Sequence, residues 1–132
     1  MSADVAYVDS SAFVKLIATE PETAALRRAL DGWSRIASSA LLVAEVMRAV
    51  LRSAPESMPT ASGLLGTVDL VGITRARLQH AGLLQPPQLR TLDALHLVSA
   101  LAVGSRLGAV ITYDQRLAAA AKWYGLPVLT PR

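Results

Sequence analysis

No cysteine occurs among the 132 residues. Disulfides, thiolate nucleophiles and cysteine-ligated zinc are thereby excluded. Aromatic residues are scarce as well, at 5% of the chain, so the core must come from Leu, Ala and Val. No apolar run is long enough to span a bilayer, because Glu45, Arg48, Asp93, His96 and Arg106 interrupt the hydrophobic stretches. The opening MSADVAYVDSSAF lacks the basic start and apolar core of a signal peptide. A chain without disulfides then fits the cytoplasm, with no membrane role expected. No glycine-rich phosphate loop follows a strand pattern, and the Gly-x-Ser-x-Gly of serine hydrolases is missing.

What is present suits one domain over residues 1–132. Hydrophobic residues make up 52%, enough for a real core. Short apolar runs alternate with helical patterns. Val5–Val8, Arg35–Ser38, Leu70–Ile73, Ala109–Thr112 and Pro127–Leu129 read as strands. Ser10–Thr19, Pro21–Asp31, Ala40–Arg52, Thr74–Leu84, Leu89–Val103 and Asp114–Tyr124 read as helices. Ala54–Gly63, with Pro55 and Pro59, reads as a loop or a helix start. Such alternation, without a tight hairpin dipeptide, predicts an α/β fold. It is a three-layer α/β/α sandwich around a central parallel sheet of four to five strands.

Net charge is +3, with thirteen cations scattered along the chain. The ten acidic residues divide into two groups. Asp4, Glu20, Glu22, Asp31, Glu56 and Asp69 sit at element ends or in polar turns, where solvation is the ordinary state. Asp9 and Asp114 follow strand patterns, at the carboxyl edge where open α/β sheets place ligands. Glu45 and Asp93 lie inside apolar helix patterns, where a charge needs a partner. Taken singly, each has a plain structural use. Asp9 and Asp114 could cap helices, Glu45 could pair with Arg48, and Asp93 with Arg90 or His96.

Taken together, the four suggest one cleft holding a divalent cation. Like charges about 4 Å apart repel by ~1 kcal/mol even in water, so a cluster of this kind calls for neutralisation. Carboxylates without cysteine select a hard cation, Mg2+ or Mn2+. Such a site suits phosphodiester hydrolysis by activated water. With four carboxylates set against metal, thirteen cations face six acids, a basic body of +7 suited to nucleic acid.

The stretches YVDSSAFVKL, SSALLVAEVMRA, LDALHLVSAL and AVITYDQRLAAAAKWYGLPVLTP resemble, in order, the PIN-domain family. They most resemble its VapC group of toxin ribonucleases. The resemblance spans about Tyr7 to Pro131. It implies an α/β/α fold, a metal-dependent endoribonuclease acting on RNA, a cognate antitoxin partner and a homodimer. It also implies catalytic roles for Asp9, Glu45, Asp93 and Asp114. Asp9, Asp93 and Asp114 would be metal ligands, and Glu45 would ligate or position water. Ser10 and Thr112 would orient these carboxylates, Thr112 within the T-x-D pattern. His96 would touch the site. Where some relatives carry a further acid, Arg116 and Leu117 stand here.

Members of this family lay an antitoxin helix on an apolar groove. Leu41, Leu42, Val46 and the helix at Ala24 to Leu30 could supply one, unless these residues are core. A phosphatase of the haloacid-dehalogenase type fits poorly, since Ser11 stands where its second Asp is needed. A non-toxin RNA-processing nuclease and a non-cleaving RNA- or protein-binding module remain as other readings.

Overall fold

The computed structural model describes residues 3–132. Five strands form one sheet: β1 Val5–Val8, β2 Arg35–Ser39, β3 Asp69–Val71, β4 Leu107–Ile111 and β5 Val128–Leu129. Their order is β3-β2-β1-β4-β5, and every neighbouring pair is parallel. β1 is central. The chain winds from it to β2 and β3 on one side, then returns to β4 on the other. The gap between the β1 and β4 carboxyl ends is therefore the switch point where an open α/β sheet leaves a crevice.

The helices are α1 Ser10–Phe13, α2 Thr23–Asp31, α3 Leu41–Ser53, α4 Met58–Leu65, α5 Arg75–Gly82, α6 Thr91–Val103 and α7 Gln115–Trp123. Strand alternation sorts the core into two layers. Ala6 and Val8 of β1, with Ile111 of β4, pack against Phe13, Leu26, Leu42 and Val46 from α1 to α3. Tyr7 and Val110 point to the opposite face and meet Leu97 and Ala100 of α6 and Leu117 of α7. The sandwich and its five parallel strands are as the sequence patterns require.

Several boundaries differ from the sequence reading, each for a local reason. The helix expected over Ser10–Thr19 stops at Phe13 and tightens into a 3-10 turn over Val14–Leu16. Lys15 turns back there to Glu20 and Glu22, at 3.2 and 3.3 Å. The proline-bearing stretch from Ala54 is largely helical: a 3-10 turn at Pro55–Ser57 runs into α4, with a proline in the first turn of each. Proline costs nothing there, because the first-turn N–H groups lack partners anyway. Most of the acids expected to be merely solvated are ion-paired. Asp4 takes Arg106 in a two-pronged contact at 2.9 and 2.7 Å, and Asp69 takes Arg35 at 2.7 and 3.2 Å.

Leu42 and Val46 are fully buried beneath the sheet. They are core residues and cannot line the groove that the sequence suggested. An apolar recess does exist beside them, between Val14, Ile17 and Ala18 on one wall and Ala49, Val50 and Ala54 on the other.

Candidate active site

Val8 pairs in register with Ile111, so the next residues, Asp9 and Thr112, emerge side by side at the sheet edge. The Thr112 hydroxyl donates to Asp9 Oδ2 at 2.6 Å and accepts the Asp114 N–H at 3.0 Å. One buried hydroxyl, 103 residues from Asp9 in sequence, thus ties the first of the four acidic residues to the last. Ser11 makes a second tie. Its hydroxyl lies 2.8 and 2.9 Å from the two Asp9 oxygens and accepts the Tyr113 N–H at 2.9 Å.

Asp9 also caps α1, with Oδ1 accepting from the Ala12 N–H at 3.1 Å. Asp114 caps α7 through Oδ1, which accepts from Arg116 N–H at 2.8 Å and Leu117 N–H at 3.2 Å. The capping use and the site position coexist in both residues, since a carboxylate has more acceptor sites than one cap consumes. Asp9 is only 4% exposed. Burial raises its pKa against the opposing pull of its hydrogen bonds from Thr112, Ser11 and Ala12.

Glu45, in the second turn of α3, does not pair with Arg48. Its Oε1 accepts from His96 Nε2 at 2.7 Å, while Oε2 has only a long 3.5 Å contact from Ser10 Oγ. The His96 ring is buried, and its Nδ1 lies 2.7 Å from the Tyr7 hydroxyl. That hydroxyl in turn accepts the Ser39 N–H at 3.1 Å. Burial pushes the Tyr7 pKa up, so the phenol stays protonated. With Nδ1 turned to Tyr7, Nε2 carries the proton that faces Glu45.

Asp93, in the first turn of α6, is half-buried and has no hydrogen-bond partner among the described residues. Burial raises its pKa, and the negative charge of Asp114 raises it further. The four expected carboxylates all line one cleft of about 330 Å3, together with His96, Arg90 and Arg116. Among the described residues, no three Asp, Glu or His side chains stand close enough together to hold a metal ion.

The PIN domain pattern matches residues 6–122. This chain belongs to the PIN domain family. Ribonuclease VapC46 of Mycobacterium tuberculosis is 46% identical to it over 125 residues, covering 95% of this chain and 96% of the relative. Ribonuclease VapC35 of the same species is 38% identical over 129 residues, with the same coverage. Solved structures agree in fold. The crystal structure of M. tuberculosis VapC20, a sarcin-ricin loop cleaving toxin, superposes with a TM-score of 0.72 at 14% identity, covering 87% of this chain and 94% of that one. A toxin–antitoxin complex from Klebsiella pneumoniae gives 0.69 at 23% identity, covering 96% and 98%.

Within this PIN domain, sequence reasoning missed two contributors. Ser11, which sequence offers only as part of a helix start, lies closer to Asp9 than Ser10 does to Glu45. Tyr7 reads from the sequence only as a member of the strand Val5–Val8. The signal for it was a hydroxyl inside an otherwise apolar strand, which needs a partner once buried.

Proposed function

We propose that this chain is the ribonuclease toxin of a toxin–antitoxin pair, hydrolysing RNA phosphodiester bonds in the Asp9–Glu45–Asp93–Asp114 cleft with Mg2+ or Mn2+. The observation that carries the reading is the Thr112 bridge, which joins the Asp9 carboxylate to the Asp114 backbone N–H across the paired strands β1 and β4, in a chain 46% identical to a ribonuclease. The donor chemistry fits a hard divalent cation, because the cleft offers carboxylate oxygens and no thiolate. When bound, such an ion supplies charge neutralisation at the phosphoryl group and lowers the pKa of a coordinated water.

The chain's own groups divide the remaining work. Asp93 and Asp114 Oδ2 are the carboxylate oxygens least committed to hydrogen bonds, so they are the natural ligands, with Asp9 holding the floor of the cleft. Glu45 is oriented through Oε1 by His96, which leaves Oε2 to take a proton from the attacking water. Ser10, at 3.5 Å from that oxygen, is a weak auxiliary.

The names of the relatives and the solved toxin–antitoxin complex support a cognate antitoxin as partner. We extend the proposal to a homodimer, supported by exposed Leu78 of α5 and Leu83 just beyond its end, which line one recess, and to action in the cytoplasm. No helix among the described residues is long and apolar enough to cross a membrane.

The test is cleavage of structured and unstructured RNAs with Mg2+, with Mn2+ and with EDTA, beside Glu45→Gln and Asp93→Asn. Metal-dependent cutting that falls by roughly 100-fold in both variants is expected. Cutting that persists in EDTA and in both variants would sink the proposal.

A further inference from the structure

A second recess of about 330 Å3 adjoins the acidic cleft and shares Arg90, Asp93 and Arg116 with it. Its outer wall is Trp123, whose side chain is 64% exposed in a chain with few aromatics. The indole is not loose. It packs edge-on against Tyr124, with ring centroids 4.9 Å apart, and the Tyr124 hydroxyl donates to the Gln85 carbonyl beside the opposite wall at Pro86. Leu89 and Ala119 make the floor apolar. Arg90 and Arg116 are exposed, and neither guanidinium is ion-paired among the described residues.

Resting on the ribonuclease reading, we infer that this recess is a substrate subsite: an unpaired base next to the scissile phosphate stacks on Trp123, and Arg90 and Arg116 hold the flanking phosphates. Without a bound cation the cleft's own carboxylates repel RNA, so the metal-free chain draws its affinity from groups beside the cleft. A fixed aromatic face with two free cations is the pairing that binds single-stranded nucleic acid. A duplex cannot present a base edge-out to such a recess, so the strand must be unpaired there.

The experiment uses RNAs that differ only in one abasic position, moved stepwise from the scissile bond. Affinity is read in EDTA by anisotropy and by quenching of indole emission, and KM and kcat are read in Mg2+. The wild type is expected to bind the intact strand about tenfold or more tighter than the strand abasic at one position. Trp123→Ala should lose that preference through KM with kcat little changed, and Trp123→Tyr should restore it. An alanine variant that keeps the wild-type KM and the same abasic preference would overturn the subsite and leave the ribonuclease reading standing. A wild type that neither binds nor cuts any of the RNAs would remove both. A change of oligomeric state in Trp123→Ala, with RNA affinity intact, would assign this face to a second copy of the chain and overturn the subsite.

Discussion

His96 holds Glu45: the ring Nε2 lies 2.7 Å from Oε1, and the ring is itself fixed by Tyr7 at 2.7 Å on Nδ1. A flexible glutamate near a cleft otherwise samples several rotamers. Here a buried three-residue chain, starting from the Ser39 N–H, leaves Glu45 one orientation. Groups that orient a ligand from behind commonly matter by 10- to 100-fold. His96→Leu is therefore expected to reduce kcat by roughly 10-fold or more, and to cost about 1–3 kcal/mol by stranding the Tyr7 hydroxyl. Urea denaturation and single-turnover cleavage separate the two effects.

Tyr7→Phe attacks the same chain from its far end. It leaves the Ser39 N–H and His96 Nδ1 without their partner in a buried site. A stability loss of about 1–3 kcal/mol is expected, with a smaller fall in cleavage than for His96→Leu. Equal activity losses in the two variants would mean that the phenol does more than fix the ring.

Thr112→Val keeps the shape and deletes both polar roles of the hydroxyl. Asp9 loses its shortest hydrogen bond, and the Asp114 N–H loses its acceptor. The expected cost is about 1–3 kcal/mol, together with a marked fall in cleavage. Thr112→Ser should recover most of both. Recovery of stability without recovery of cleavage would show that the methyl group, not the hydroxyl, positions the site.

The two acids with raised pKa give a pH dependence of definite sign. Burial raises Asp9, and burial with the Asp114 charge raises Asp93. The folded chain therefore holds these protons more tightly than the unfolded chain does. Their contribution is fully present below the ordinary value of 3.8 and is lost as pH rises through the raised folded values. Asp93→Asn should raise Tm at neutral pH without divalent cations, and the gain should vanish near pH 3, well below that ordinary value. Mg2+ should stabilise the wild type more at neutral pH than in acid, and should stabilise Asp93→Asn less. A thermal shift assay across pH, with and without Mg2+, reads all of these.

Away from the cleft, Gly108 of β4 has no room for a side chain. An added Cβ would overlap the Trp33 ring and lie 2.6 Å from the Ala3 carbonyl. Gly108→Ala should cost about 1–3 kcal/mol by overpacking, seen as a lower denaturation midpoint with the catalytic residues untouched.

The sequence alone determined the features that are local. Apolar periodicity marks the strands and helices, because burial on one face repeats every two or roughly 3.6 residues. An Asp at or shortly after the end of each of two apolar runs marked the sheet's carboxyl edge, and a charge inside each of two apolar helices marked Glu45 and Asp93. Tertiary structure decided the rest. Only the pairing of Val8 with Ile111 brings Thr112 to Asp9, and only the stacking of α6 on the sheet brings His96 to Tyr7, 89 residues away. The same packing put Leu42 and Val46 in the core rather than in a groove. A side chain's type limits what it can bond to, but which partner it meets depends on chain segments far apart in sequence. Those meetings follow from strand register and layer packing, which no local pattern encodes.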